Sequence, residues 1–346
     1  MSRKAQARAR FWLVGSRVAA LLLAGLAAWL SLRRVHWPAL RVALAGVNVP
    51  LLALALATVL VTTAAKTARW QVLLRACGAS VGGMRVGRVL LIGQMGNSFL
   101  PGRLGDVARA VLVGPQIHGG VLAAMGTLLA EKALDGVMGL LILSGLAVWT
   151  PLPGWLRAPI LGLAALTGGL LALLGLAATR GRWATPLLAA LIRPLPASLQ
   201  DQLRRWPVEL RLGLGLFRRP GSALLALAWS AAVWGVAALT NLVTLAAMGI
   251  EAPGWSTWLV LVTGYVANFL PAVPAQVGLF EYACILALTA AGVGPEPALA
   301  FGLVLHLLVY GPPAVLGPAS MAVEGVSWKK LRAAKSGSLE GDGVSV

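Results

Sequence analysis

The sequence predicts an all-α polytopic membrane protein with about six full spans plus two re-entrant helical hairpins, arranged as two inverted repeats. Three observations predict it. Apolar runs of about 18 residues or more recur with almost no charge, the length a helix needs to cross a bilayer. Only 12% of the 346 residues are charged and 58% are apolar, at a mean hydropathy of +0.82, against about 25% charged in soluble domains. Two apolar segments are interrupted by matching clusters of Asn, Pro and Gly. The Leu/Ala blocks do not alternate polar with apolar, which argues against a β-barrel. Helices satisfy their own backbone polar groups and are the spanning element that remains.

The elements follow in order. Residues 1–11 form a basic arm with Arg3, Lys4, Arg8 and Arg10. No convincing small-residue cleavage site follows, so the next apolar run, with its core at 22–32, reads as a retained first span. A second span covers 40–65, and a basic loop follows it with Lys66, Arg69, Arg75, Arg85 and Arg88. Residues 89–113 carry Asn97, Pro101, Gly102 and Gly105 in their middle. Pro breaks a helix and Gly permits the reversal, so this segment reads as a re-entrant hairpin. Spans follow at 121–149 and 160–178. Residues 180–220 mix Leu199, Leu203, Trp206, Leu210 and Leu214 with arginines, the pattern of an amphipathic connector on the membrane surface. A span at 224–248 precedes the second hairpin, 259–291, with Asn268, Pro271, Pro274 and Gly278. The last span is 298–323. The tail, 324–346, is basic at Lys329, Lys330, Arg332 and Lys335, then Gly- and Ser-rich, and is expected to be disordered. Trp12, Trp29, Trp37, Trp70, Trp149, Trp155, Trp255 and Trp258 fall near expected span ends and read as interfacial anchors.

The net charge of +18 invites a nucleic-acid reading. The basic residues sit between apolar spans without a reader motif, so no nucleic-acid partner is expected. Cytoplasmic loops attract Lys and Arg. That rule places the arm, the loop after the second span, the connector and the tail in the cytoplasm, with Arg33, Arg34, Arg41 and Arg157 opposite. Both termini are then cytoplasmic and the protein is a multi-pass inner-membrane protein. The first hairpin opens from the cytoplasmic face and the second from the outer face. Residues 12–149 and 157–323 become two repeats of opposite orientation, a plan that places transporter sites at the repeat interface.

Ionisable residues at membrane depth mark functional candidates. Arg103, Asp106 and Arg109 are spaced three apart beyond the first break, so they share a helix face. Two arginines suit a phosphate, through bidentate hydrogen bonds. Glu131, Lys132 and Asp135 lie inside a span, with Glu131 and Asp135 at i and i+4. Lys132 or the hairpin arginines are their expected partners. A packing ion pair is the alternative for both groups. Gln276 and Glu281 on the second hairpin, and His306 with Tyr310 on the last span, form a third group. The full candidate binding set is Asn97, Pro101, Arg103, Asp106, Arg109, Glu131, Lys132, Asp135, Asn268, Gln276, Glu281, His306 and Tyr310. Cys77 and Cys284 are too far apart in sequence to suggest a framework or metal site. No HExxH, Walker A or GxSxG motif is present, so no cofactor, metal or catalytic residue is expected.

The run from Asn97 to Arg109, Asn-Ser-Phe-Leu-Pro-Gly-Arg-Leu-Gly-Asp-Val-Ala-Arg, resembles the first signature of the lysylphosphatidylglycerol synthase transmembrane-region family, also called flippase-like. Glu131-Lys132-Ala133-Leu134-Asp135 resembles its acid-basic-x-x-Asp motif. Leu270-Pro271 through Pro274, Gly278 and Glu281 resembles its Pro-Gly-Gly-x-Gly-x-x-Glu segment. Three positions depart from the pattern. Asp106 stands for Glu, Ala275-Gln276 for the double Gly, and His306 for a basic residue in the last span. The family includes the membrane half of multiple peptide resistance factor, which flips aminoacylated phospholipid. The resemblance implies a flippase-like membrane protein whose cargo is an amphiphile with an anionic or phosphorylated head group, such as a modified phospholipid or polyprenyl-linked glycan. Membrane lipids are the implied partners. A non-transporting partner of a lipid- or glycan-modifying enzyme and an intramembrane head-group enzyme stay open as alternatives.

Overall fold

The computed structural model describes residues 37–99, 104–150, 152–178, 219–268 and 274–327. The arm at 1–11, the span core at 22–32, nearly all of the connector and most of the tail lie outside the described residues. So do Pro101, Gly102, Arg103 and Pro271. Among the described residues there are ten α-helices and no strand.

The first helices are α1 (Trp37–Ala45) and α2 (Val49–Ala76). The run at 40–65 is therefore not one span. It divides at Gly46-Val47-Asn48, where Asn48 caps α2 by accepting a hydrogen bond from the Leu51 N–H at 3.1 Å, the usual service of Asn at an N-cap. Nor does α2 stop at Ala65. It continues through Lys66, Arg69 and Arg75 to Ala76, and Gly78, at φ 83°, follows its end. Arg85 and Arg88 also belong to a helix, α3 (Gly83–Phe99). The basic loop expected after the second span thus shrinks to a short turn. The charge at 69 stays helical because Asp135 and Glu131 neutralise it inside the protein.

Helix α3 packs against α4 (Leu104–Val113) across the first break. Glycines make this possible. A Cβ on Gly105 would collide with the Gly93 carbonyl and would lie 2.6 Å from the Asn97 backbone nitrogen. Helix α5 (Gly120–Trp149) follows, then α6 (Arg157–Ala178) and α7 (Pro220–Ala247). The second break separates α8 (Trp255–Ala267) from α9 (Leu279–Ala290), with a 3₁₀ turn at Pro274–Gln276 between them. The last helix is α10 (Pro295–Val323).

Helices at Val49–Ala76, Gly154–Ala172, Pro220–Ala247 and Pro295–Val323 are long and apolar enough to cross a membrane. At 30 residues, α5 has the length too, but carries Glu131, Lys132 and Asp135 at its centre. The 13 and 12 residues of α8 and α9 reach only about 18–20 Å at 1.5 Å per residue, short of a hydrocarbon core of about 30 Å. Leu161, Leu224 and Leu307 are each at least 70% exposed on the long helices, which suits a lipid-facing surface. The chain is a helical membrane protein.

Two main cores organise the bundle. One surrounds Trp70, Leu73, Leu90 and Leu128; the other surrounds Leu259, Leu288, Phe301 and Leu305. Between them α2 and α7 pack along their lengths in opposite directions. The Asn48 N–H donates to the Ala247 carbonyl at 2.7 Å, Thr58 and Thr240 share a hydroxyl hydrogen bond at 2.9 Å, and Arg69 donates to Ser230 at 3.3 Å. Partners are exchanged around this seam, with α3 packing on α10 and α8 on α5. At one end of the α3–α10 contact Glu324 binds Arg85 at 3.1 Å and Arg88 at 2.6 Å. Further along, Gly317 lies against Met95, which a Cβ would meet at 2.7 Å.

Candidate functional site

The charged centre is built from α2, α4 and α5. Glu131 and Asp135 are one helical turn apart and face the same way. Arg69, on α2, reaches Asp135 through two hydrogen bonds, at 2.5 and 3.3 Å, and approaches Glu131 at 3.5 Å. Arg109, on α4, makes two hydrogen bonds to Glu131, at 3.3 and 2.8 Å, and approaches Asp106 at 3.5 Å. Lys132 lies 3.7 Å from Asp106. Of the partners expected for the two acids, the hairpin arginine Arg109 takes Glu131, while Lys132 serves Asp106 and Arg69 takes Asp135. Both guanidinium groups are almost wholly buried, and the Nε–H of each has no partner among the described residues.

Two tryptophans hold this network in place. Trp234 Nε1–H donates to Asp135 at 3.4 Å. The Arg109 guanidinium sits 4.1 Å above the Trp70 ring, in cation–π geometry. Trp70 is fully buried and its indole N–H donates to Thr127 at 3.1 Å. It is thus no interfacial anchor. Its place on α2 beside Arg69 turns it toward α4 and α5 instead of the membrane surface.

Each break is fastened by an acid at the third position of the helix that follows. In the first, the Asn97 side chain donates to Asp106 at 3.1 Å and accepts from the Asp106 backbone N–H at 3.2 Å. In the second, Glu281 accepts from the Gly278 backbone N–H at 2.7 Å. A carboxylate in a helix's first turn also meets the positive end of the helix dipole. Glu281 meets His306 Nδ1 at 2.7 Å, and His306 stacks on Tyr310 with ring centroids 4.5 Å apart.

A cavity of about 360 Å³ opens among these helices. The sequence-derived candidates Asn97, Asp106, Arg109, Glu131, Lys132, Asp135, Asn268, Gln276 and Tyr310 line it, drawn from both halves of the chain. Glu281 and His306 sit beside it, paired with each other and outside its lining. Pro101 and Arg103 lie outside the described residues.

Sequence reasoning missed Lys66 and Arg69, which also line the cavity. The signal was present. No Gly or Pro interrupts the chain between Pro50 and Gly78, and two cations three residues apart share a helix face. Lys66 differs from the other cations in making no ion pair among the described residues.

No curated protein matches the chain. The profile described as "Lysylphosphatidylglycerol synthase TM region" matches residues 17–317, a stretch that holds both breaks, the charged centre and every residue lining the cavity. The chain belongs to the lysylphosphatidylglycerol synthase transmembrane-region family.

Proposed function

We propose that the protein is an inner-membrane, flippase-like transporter that moves an amphiphile with an anionic or phosphorylated head group between leaflets. The observation that carries this reading is the charge of the cavity. Four cations line it, Lys66, Arg69, Arg109 and Lys132, against three carboxylates, Asp106, Glu131 and Asp135. The carboxylates are engaged by the arginines and Lys132, so Lys66 is left to meet a negative group. The idle Nε–H groups of Arg69 and Arg109 add donors in the same region. A half-buried cation without an ion pair is costly at membrane depth unless a ligand supplies the counter-charge. In this reading Arg103 joins Arg109 in meeting the head group.

Packing supports an inverted-repeat plan. If α1, α2, α3, α4 and α5 are matched in order to α6, α7, α8, α9 and α10, each main contact has a counterpart. The pairing α3–α4 answers α8–α9, α4–α5 answers α9–α10, α3–α10 answers α8–α5, and α1–α10 answers α6–α5. The matched pair α2 and α7 runs antiparallel, as it must when the repeats have opposite orientation. The two short broken pairs then act as the re-entrant hairpins, and both termini face the cytoplasm. Broken backbone at membrane depth is tolerated where it lines a cavity.

Reconstitution into vesicles tests the reading. The purified protein should move fluorescently labelled phosphatidylglycerol between leaflets, measured by chemical quenching of the outer leaflet. Lys66→Gln breaks no ion pair, so it should fold normally. It should slow transport about tenfold or more, since hydrogen bonds to charged groups contribute about 1.5–3 kcal/mol. An altered lipid mass would identify an enzyme instead. Neither movement nor mass change would favour a non-transporting partner of a modifying enzyme.

A further inference from the structure

Among the amides lining the cavity, two have idle side chains. Asn97 is committed to Asp106, and Asn268 donates to the Gly264 carbonyl at 3.0 Å. Gln94 on α3 and Gln276 in the turn before α9 each have a buried side-chain carbonyl oxygen without a hydrogen-bond partner. They come from opposite halves of the chain and line one cavity. The turn that bears Gln276 packs against α3, the helix that bears Gln94.

Gln276 is also held in an unusual backbone. Its φ is 59°, and that of Ala275 is 53°. They are the non-glycine residues in left-handed conformation among the described residues. L-residues other than Gly, Asn and Asp rarely adopt it, because Cβ crowds the following carbonyl. Glycine would sit there without strain. Strain of this kind persists where the surrounding structure imposes it, and it clusters at ligand-binding positions. Here the strained residue points an amide with no partner into a cavity.

The charges restrict what the amides can read. All three cavity carboxylates already have cationic partners, and Lys66 adds a positive charge that makes no ion pair among the described residues. An ammonium group would find repulsion there. A hydroxyl group is uncharged and both donates and accepts, so it suits an amide in either orientation.

We propose that the head group is a phosphate bearing an uncharged polyol or sugar, and that Gln94 and Gln276 read its hydroxyl groups while Lys66 meets the phosphate. This rests on the reading of the cavity as the seat of an anionic amphiphile. It adds the chemical class of the rest of the head group and excludes an aminoacylated one.

Equilibrium binding to the full-length protein in detergent tests it, with three short-chain probes of equal acyl length: phosphatidylinositol, phosphatidic acid and phosphatidylethanolamine. Phosphatidylinositol should bind about tenfold or more tighter than phosphatidic acid, the value of two modest hydrogen bonds. Phosphatidylethanolamine should bind weakest. Gln94→Leu and Gln276→Leu should each weaken phosphatidylinositol about three- to tenfold and leave phosphatidic acid unchanged. Gln276→Gly keeps the argument testable if a leucine variant fails to fold. Glycine suits the left-handed backbone, so this variant should be at least as thermostable as the wild type and still lose the preference. A structural role for Gln276 would leave the preference intact in that variant, which would overturn the proposal. So would equal binding of phosphatidylinositol and phosphatidic acid, or tightest binding of phosphatidylethanolamine. Preferential binding of phosphatidylinositol without movement in vesicles would sink the transporter reading and leave the head-group assignment standing. Binding of none of the three would sink both.

Discussion

Arg69 has only 1% of its side chain exposed and faces two carboxylates. Its guanidinium compensates charges that the membrane interior would otherwise penalise. Removing one partner of a buried pair is far more damaging than replacing both. Arg69→Met should therefore destabilise the protein by about 3–5 kcal/mol. Adding Asp135→Leu to it should restore more than half of that loss. Thermal unfolding in detergent, followed by tryptophan fluorescence, measures both. A single variant as stable as the wild type would remove the argument. At this scale the sequence was legible where acids stood inside an apolar run, as at Glu131 and Asp135. It misled where cations stood at the edge of one. Arg69 looked like part of a loop, because its counter-charges lie on a helix far away in sequence.

The two broken helix pairs show which parts of an element can be read from a string of residues. Asn, Pro and Gly marked both interruptions, and an acid follows each of them, at 106 and 281. The division of 40–65 at Asn48 escaped notice, since one Asn in an apolar run has no counterpart to flag it. The contact between Gly93 and Gly105 was equally hidden, because nothing in sequence distinguishes a packing glycine from a turn glycine. Gly105→Ala places a methyl group against backbone atoms that cannot yield, including the Asn97 nitrogen at 2.6 Å. It should force α3 from α4 and abolish the monodisperse folded species in size-exclusion chromatography. Gly145→Ala meets nothing within 4 Å and should elute as the wild type does. If both behave alike, the close approach of α3 and α4 is not needed for folding.

For the whole molecule, the helical membrane class followed from composition and hydropathy alone, because length and apolarity are properties of each helix by itself. How the halves meet did not, since the seam depends on which faces touch. Its geometry is open to a chemical test. Thr58 and Thr240 have hydroxyl oxygens 2.9 Å apart, so cysteines at both positions fall within reach of a disulfide. In a variant lacking Cys77 and Cys284, mild oxidation should cross-link Thr58→Cys to Thr240→Cys, seen as a mobility shift after cleavage between the halves. Thr62→Cys with Thr240→Cys, one turn further along, should cross-link far less. Equal cross-linking of the two pairs would mean that α2 and α7 slide against each other.

The grip of Glu324 on Arg85 and Arg88 differs from the rest of the α3–α10 contact. Arg85 is 42% exposed and Arg88 32%, whereas the Gly317–Met95 contact is apolar. Dissolved ions screen the first and have no purchase on the second, with a Debye length of about 10 Å at 0.1 M. Ionic strength therefore acts on one end of this helix pair alone. Rising salt should speed amide hydrogen exchange around residues 83–88 and 320–326 and leave residues 93–95 unchanged. The bundle carries at that end a fastening whose tightness is set by the surrounding electrolyte.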